Sequence, residues 1–301
     1  MTILLNLSYN TVFGEELVVN LVKGDNPMDV VQQKMSTLNG SEWTCRVNTP
    51  EGMDIISYFY SVEKNGVLSR QEWQLQPHIL RLSASKSESF VVYDHWNDIP
   101  EDAYMYSSAI TDCVAKRAKS KPVKTTSTQA IVIKTKAPQL RSTERLAIMG
   151  EGKAFGEWES TKALQMEEFA PNEWMAVIDA KKVKGNRLEF KFVVLDEKID
   201  YTPLWETRNN RTIDLPELKA GESVVYELDT AFFPIFAWKA AGVVVPIFSL
   251  RSEGSFGVGD FGDLKMMVDW AAKTNQRVIQ ILPIYDTTIT NTWTDSYPYN
   301  S

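Results

Sequence analysis

Apolar and polar residues alternate with a period of two from the first positions of the chain. Ile3, Leu5, Leu7 and Tyr9 fall on one face, and Thr2, Asn6 and Ser8 on the other, the signature of a half-buried strand. After a turn at Asn10-Thr11 and Gly14 the pattern resumes at Leu17-Val18-Val19, then around Val47, from Ile55 to Val62, and at Phe90-Val91-Val92-Tyr93. Gly, Asn, Pro and Ser clusters separate these runs, and no helical stripe longer than about ten residues interrupts them. Short strands at this spacing predict an all-β sandwich of roughly one hundred residues.

The pattern then repeats. Glu42-Trp43 returns as Glu173-Trp174, Trp73 as Trp205, and the alternating run 55–62 as 187–194, all about 130 residues apart and in one register to within a residue. A repeat this long is a duplicated module rather than a solenoid unit. Between the copies, Lys116 to Thr128 (KRAKSKPVKTTST) is basic, then rich in Pro, Ser and Thr, with few apolar residues, and reads as an interdomain linker. The expected layout is a first β-sandwich over 1–115, a linker over 116–128 and a second β-sandwich over 129–235.

From about residue 240 the grammar changes. Val243-Val244-Val245-Pro246-Ile247-Phe248 is a continuous apolar run, the mark of a strand buried on both faces. Leu264, Met267, Val268 and Ala271 follow at helical spacing, and Arg277 to Ile284 forms a second apolar run. This predicts a βαβ unit, which cannot bury its own faces and so reads as the opening of a larger α/β domain over 240–301.

Composition narrows the function. A net charge of −7 argues against nucleic acid, whose binding draws on lysine and arginine neutralising phosphates. Two cysteines, Cys45 and Cys113, and two histidines, His78 and His95, offer no metal-ligand spacing and no disulfide framework, so no metal or other cofactor is expected. With no apolar run of the ~18 residues a membrane helix requires and no leader pattern at residues 1–7, the expectation is a cytoplasmic protein with no membrane partner.

The candidate chemistry is aromatic. Gly150 to Trp158 (GEGKAFGEW) places a tryptophan at the end of a turn-rich loop, and 196–211 (DEKIDYTPLWETRNNR) carries Trp205 in a polar one. Two large indoles in polar loops of one module suggest an interaction surface. A flat indole can stack on the C–H face of a pyranose while amides, carboxylates and amines bond its hydroxyls. On the strand 188–194, Leu188, Phe190, Phe192 and Val194 share one face, which turns Lys191 to the other. Lys191, Glu206 and Asn210 would then surround Trp158 and Trp205. Trp43, Trp96 and Trp174, at strand positions, read as core. Gly257-Val258-Gly259-Asp260-Phe261-Gly262 has the literal dinucleotide spacing, with Asp286 in the distance. It fails because residues 251–256 separate the glycines from the strand and Asp260 and Asp263 put negative charge where a pyrophosphate would meet the helix.

These residues carry a resemblance. Ile148 to Trp158, the strand LEFKFVV and Trp205-Glu206…Asn210-Arg211 resemble the starch-binding carbohydrate-binding module of family 20 over about 130–232. The resemblance implies Trp158 and Trp205 as stacking pair with Lys191, Glu206 and Asn210 as hydrogen-bonding partners. The first module is similar but eroded: Trp73 matches the second tryptophan, Asn26-Pro27-Met28 stands near where the first belongs, and Phe59 takes the lysine position. Phe13 matches a position where that family can carry a tyrosine of a second sugar site. Ala241 to Ser301 resembles the start of the glycoside hydrolase family 77 catalytic domain, the 4-alpha-glucanotransferases, whose fold is a TIM-type barrel of about 250 residues.

The implied fold class is therefore mainly β: two tandem immunoglobulin-like sandwich modules followed by the first βαβ portion of a TIM-type barrel. The implied activity is a retaining transfer of α-1,4-glucan segments, using two carboxyls about 5 to 5.5 Å apart; these lie in later parts of that family's barrel and have no counterpart here. No catalytic residue is assigned, and the chain by itself is expected to be inactive. Tyr299 matches a position near the family's donor sugar. The implied partner is starch or maltodextrin; the competing reading is a non-catalytic starch-binding protein.

Overall fold

A computed structural model describes residues 1–24, 26, 29–50, 52–196, 202–233, 239–282 and 284. The chain divides into two compact units, Met1–Ile235 and Phe236–Ser301. The first unit holds both sandwiches. Its first module contains β1 (Thr2–Ser8), β2 (Glu15–Val22), β3 (Val30–Lys34), β4 (Ser36–Thr37), β5 (Glu42–Asn48), β6 (Ile55–Lys64), β7 (Val67–Gln71), β8 (His78–Arg81) and β9 (Ser89–Asp94). The second repeats it strand for strand: β10 (Ala130–Lys136), β11 (Glu144–Gly150), β12 (Leu164–Gln165), β13 (Glu167–Ala170), β14 (Glu173–Asp179), β15 (Arg187–Asp196), β16 (Leu204–Trp205), β17 (Arg211–Asp214) and β18 (Glu222–Glu227).

The modules do not meet through side chains alone. Their last strands, β9 and β18, pair in parallel from Ser89↔Glu222 to Tyr93↔Tyr226. This closes one eight-stranded sheet in the order β13-β14-β10-β18-β9-β1-β5-β4. Paired residues of neighbouring strands share a face, and here the two modules use opposite faces. Phe90 and Val92, with Ile3, Leu5 and Leu7, pack against the first module's outer sheet of β3-β2-β6-β7 and β8. Val224 and Tyr226, with Ile131 and Ile133, pack against the second module's outer sheet of β12-β11-β15-β16 and β17. Val132, Met175 and Val225 belong to the second module yet join the first module's core. The shared sheet is thus the middle of three layers, the arrangement that a half-turn about an axis along the strands generates from two copies of one module. Tyr93 and Tyr226 stack across the seam with centroids 5.1 Å apart.

Alternation explains each core. In β5 Trp43, Cys45 and Val47 are buried while Glu42, Thr44, Arg46 and Asn48 are exposed, as a strand with one wet face demands. Trp43 and Trp174 are interior, at 4% and 0% exposure; Trp96 follows β9, half-buried, with its ring tilted at 35° against Tyr9 at 4.4 Å.

Residues 116–128 differ from the free linker their composition suggests. Arg117 pairs with Glu168 at 2.6 Å and donates to Leu140 O. Ser120 Oγ accepts from Glu168 N, Val123 N donates to Glu167 Oε2, Thr125 N donates to Ala84 O, and Val123 packs on the first module's core. The strap has few apolar residues because its attachment is polar, through carboxylates and backbone groups that composition cannot reveal.

The second unit holds β19 (Gly242–Val245), the helix Phe261–Lys273 and β20 (Val278–Ile281), with β19 and β20 parallel. Leu264 and Met267 are half-buried and Ala271 buried, whereas Val268 is exposed. The two strands are not buried on both faces as their apolar runs predicted: Val244 is 64% and Ile281 38% exposed. The helix begins in a capping box in which Asp260 Oδ1 accepts from Gly262 N and Asp263 N, and Asp263 Oδ2 accepts from Asp260 N. Carboxylates already occupy the donors that a dinucleotide phosphate would need. A Cβ on Gly259 would lie 2.0 Å from Ile247 O, so this glycine serves close packing of the loop.

Candidate glucan-binding platform

The outer face of the β11–β15 pair carries an apolar strip of Ala147, Met149, Val193 and Leu195, on which Trp158 rests half-buried. Trp158 reaches it through a turn whose backbone is left-handed at three successive residues, Gly156 (φ 75°), Glu157 (φ 54°) and Trp158 (φ 63°). For the two non-glycine residues that geometry costs about 1–2 kcal/mol each, and such strain persists only where surrounding structure imposes it. Gly156 is imposed: a Cβ there would sit 2.4 Å from Lys162 O. Trp205 lies on β16 opposite Val193, which brings its ring to the same face. Its exposure is 37%, and the two indole centroids are 6.2 Å apart with planes inclined at 38°.

The polar residues divide. Lys191 is half-buried on that outer face, paired in register with Met149. Asn210 is exposed and donates through Nδ2 to Glu189 Oε1 at 2.7 Å. Glu189 lies two residues before Lys191 and therefore shares its face; sequence reading missed it, although that spacing was the signal. Glu206 is the correction. It is 1% exposed, accepts from Phe192 N at 2.9 Å and receives Arg211 through Nε and Nη2 at 3.0 and 2.9 Å. Its oxygens lock β15 to the loop and do not face the indoles.

Among the described residues the first module lacks this geometry, for a reason that overturns the equation of Trp73 with Trp205. Glu72 takes the place of Glu206: Tyr60 N donates to Glu72 Oε2 at 2.6 Å and Glu72 N to Tyr60 O at 3.0 Å, as Phe192 and Glu206 do in the second module. Ser61 pairs with Gln71 where Val193 pairs with Trp205, so Gln71 is the structural counterpart of Trp205. Trp73 lies two residues beyond, half-buried and edge-on to Tyr106 at 5.3 Å. Residues 23–29 join β2 to β3, against residues 151–163 between β11 and β12, too short a connection to carry a loop like that of Trp158. Phe59 is buried at 3%, and Phe13 is wholly exposed at its turn. Tyr299 lies outside the described residues, as do Pro27 and Met28.

A second buried cluster, invisible in the sequence, lies at the seam. His78 Nε2 meets Glu72 at 3.1 Å and Nδ1 meets Glu227 Oε1 at 2.9 Å. Lys134 pairs with Glu227, and Tyr58 and Tyr60 donate to Asp94 Oδ2 at 2.8 and 2.7 Å. Possible metal-ligating atoms of His78, Asp94 and Glu227 lie within 4.8 Å of one another, but Glu227 already binds His78 and Lys134, and the group forms an ion-pair network between modules. Burial opposes the charge on His78, yet Glu227, Glu72 and Asp94 outweigh it and raise its pKa well above the ordinary value. Burial likewise opposes the charge on Glu227, but His78 and Lys134 pull its pKa well below the usual range.

Comparison with known proteins gives two family matches. Residues 128–225 match the starch binding domain family, and residues 245–301 match the 4-alpha-glucanotransferase family. Over its whole length the chain is 27% identical to the 4-alpha-glucanotransferase DPE2 of Oryza sativa subsp. japonica, covering 33% of that protein. It is 41% identical over 71 residues to the 4-alpha-glucanotransferase of Chlamydia caviae, 22% of this chain and 12% of that protein. Against the Chlamydia trachomatis serovar D enzyme the figure is 47% over 60 residues, 20% and 10% of the two chains. The chain is thus similar to a starch binding domain over one stretch and to a 4-alpha-glucanotransferase segment over another, and it spans about a third of the rice relative's length.

Proposed function

We propose that this chain is the α-glucan-binding part of a 4-alpha-glucanotransferase together with the opening of its catalytic domain. The observation that carries the reading is the pair of indoles, Trp158 and Trp205, held 6.2 Å apart over an apolar strip with Lys191, Glu189 and Asn210 on the same side. Rigid aromatic faces flanked by a few polar groups suit a chain of pyranose rings. The 38° inclination suits a curved α-1,4-glucan better than a flat polymer. The ligand is starch or maltodextrin, and tethering raises its local concentration for a catalytic domain on the same chain.

The parallel β19–helix–β20 unit is read as the first βαβ portion of a TIM-type barrel, supported by the family match over 245–301. Reaction would proceed with retention, through a carboxylate nucleophile and a carboxylic acid, with an acceptor sugar in the place of water. Asp260 and Asp263 are spent on helix capping, and no residue of this chain is assigned to catalysis. We place the protein in the cytoplasm, a reading supported by free cysteines at Cys45 and Cys113; among the described residues no helix is long and apolar enough to cross a membrane.

Titration with maltoheptaose tests the platform. Trp158→Ala and Trp205→Ala are each expected to weaken binding about tenfold or more, or ~1.4 kcal/mol, with Trp73→Ala changing it less. Equal effects of all three would overturn the ranking of the modules. The 301-residue chain should leave maltotriose unchanged; disproportionation by the purified chain would contradict the assignment of no catalytic residue.

A further inference from the structure

We infer that the seam between the two sandwiches forms a second α-glucan subsite, distinct from the platform and built from both modules. This rests on the glucan-binding reading and extends it. A cleft of 170 Å³ opens there between Trp73, Trp96 and Tyr106 of the first module and Lys136, Asp229 and Phe232 of the second. The volume is well below the ~300 Å³ at which drug-sized sites begin, so the occupant is a single ring of a longer chain.

The walls are fixed before any ligand arrives. Trp73 N donates to Asn97 O at 3.1 Å, and Asn97 N to the buried Glu72 at 2.7 Å. Trp96 Nε1 donates to Asp98 Oδ1 at 2.8 Å while its ring lies tilted against Tyr9. Trp73 stands edge-on to Tyr106. On the other side Ala231 N donates to Lys136 O at 2.9 Å, which ties Phe232 to the end of β10. Phe232 keeps 46% of its surface exposed. Aromatic rings offer faces for stacking, while the carboxylate of Asp98, which also lines the cleft, accepts from hydroxyls and the ammonium of Lys136 donates to them.

The occupant follows from continuity with the platform. Thr207 N donates to Phe232 O at 2.8 Å, and Arg208 pairs with Asp229 at 2.5 Å. Thr207 is two residues from Trp205, at most about 7 Å of extended chain. The loop that presents the second indole therefore abuts the cleft, and a glucan running past Trp205 meets Phe232 next. Trp73 thereby acquires a role of its own, consistent with its failure to occupy the place of Trp205.

The test uses the 301-residue chain and maltoheptaose, followed by calorimetry for stoichiometry and thermal unfolding for integrity. The wild type should bind one maltoheptaose per chain, spanning both subsites. The double variant Trp158→Ala/Trp205→Ala should keep one weaker saturable site, and adding Trp73→Ala or Phe232→Ala should weaken that site about tenfold or more. If Trp73→Ala lowers the melting temperature, the exposed Phe232→Ala decides alone. Loss of all saturable binding in a folded double variant would overturn the seam subsite and leave the platform standing. Residual binding indifferent to Phe232→Ala would overturn it as well. Wild-type affinity in the double variant, lost on adding Phe232→Ala, would support the seam and overturn the platform.

Discussion

At the scale of single residues, burial separates groups that resemblance had put together. Glu206 and Asn210 stood in one motif, yet the Glu206 carboxylate is interior and paired with Arg211, whereas Asn210 is exposed beside Glu189. Breaking a buried pair outright typically costs about 3–5 kcal/mol, and loss of the Glu206 charge would leave the Arg211 guanidinium with the half-exposed Asp229 as its counter-charge. Glu206→Gln is therefore expected to lower stability in urea unfolding by more than any change at Asn210, and to affect glucan binding only through that loss. A stable Glu206→Gln variant with abolished binding would instead make it a sugar ligand. Gly156→Ala should also be costly, since the 2.4 Å approach to Lys162 O excludes a Cβ and its φ of 75° would strain any other residue. The expected result is a displaced Trp158 loop, read as weakened maltoheptaose binding together with a lower melting temperature.

At the scale of elements, the register of β7 and β16 decides which aromatic residue belongs to which site. The sequence aligned Trp73 with Trp205 because identical residues at a near-constant offset look equivalent. The ladder aligns Glu72 with Glu206 instead, because each glutamate closes a backbone hydrogen-bond pair with the strand beside it. His78 and Arg211 are then equivalent, one opposite Tyr58 and the other opposite Phe190. Each stands next to its module's glutamate. The pH response of the seam follows from the first of these pairs. A histidine whose folded pKa is raised gives stability that is fully present below its ordinary value of 6.5 and is lost as pH climbs through the folded value. Glu227, depressed in the fold, gives stability present above its ordinary 4.5 and lost as pH falls through the folded value. The melting temperature should therefore decline toward alkaline pH, and His78→Gln should be less stable at neutral pH with a flatter alkaline limb. Parallel limbs for wild type and variant would exclude His78 as the titrating group.

At the scale of the whole molecule, the shared sheet makes the two sandwiches one folding unit. The eight-stranded sheet continues across the seam through the β9–β18 pairing, and Val132, Met175 and Val225 complete the first module's core from the second. Separating the modules would expose both the β9 and β18 edges and this apolar surface, at about 25 cal/mol per Å² uncovered. Calorimetry of the full chain should accordingly give a single transition for residues 1–235; two resolved transitions, each assignable to one sandwich, would show that the seam contributes little.

Local pattern alone was enough to call for two β modules, since alternation with period two depends only on neighbouring residues and repeats wherever the module repeats. The same locality made Trp158, Trp205 and Lys191 legible: a turn-rich loop, a polar loop and the outward position of one strand. The fusion of the sheets, the pinning of residues 116–128, the interior position of Glu206 and the acid–base cluster of His78, Asp94, Lys134 and Glu227 were decided by tertiary structure. Most of these join groups far apart in the chain, and even the shorter-range contacts of Glu206 depend on burial and register, which no window of sequence contains.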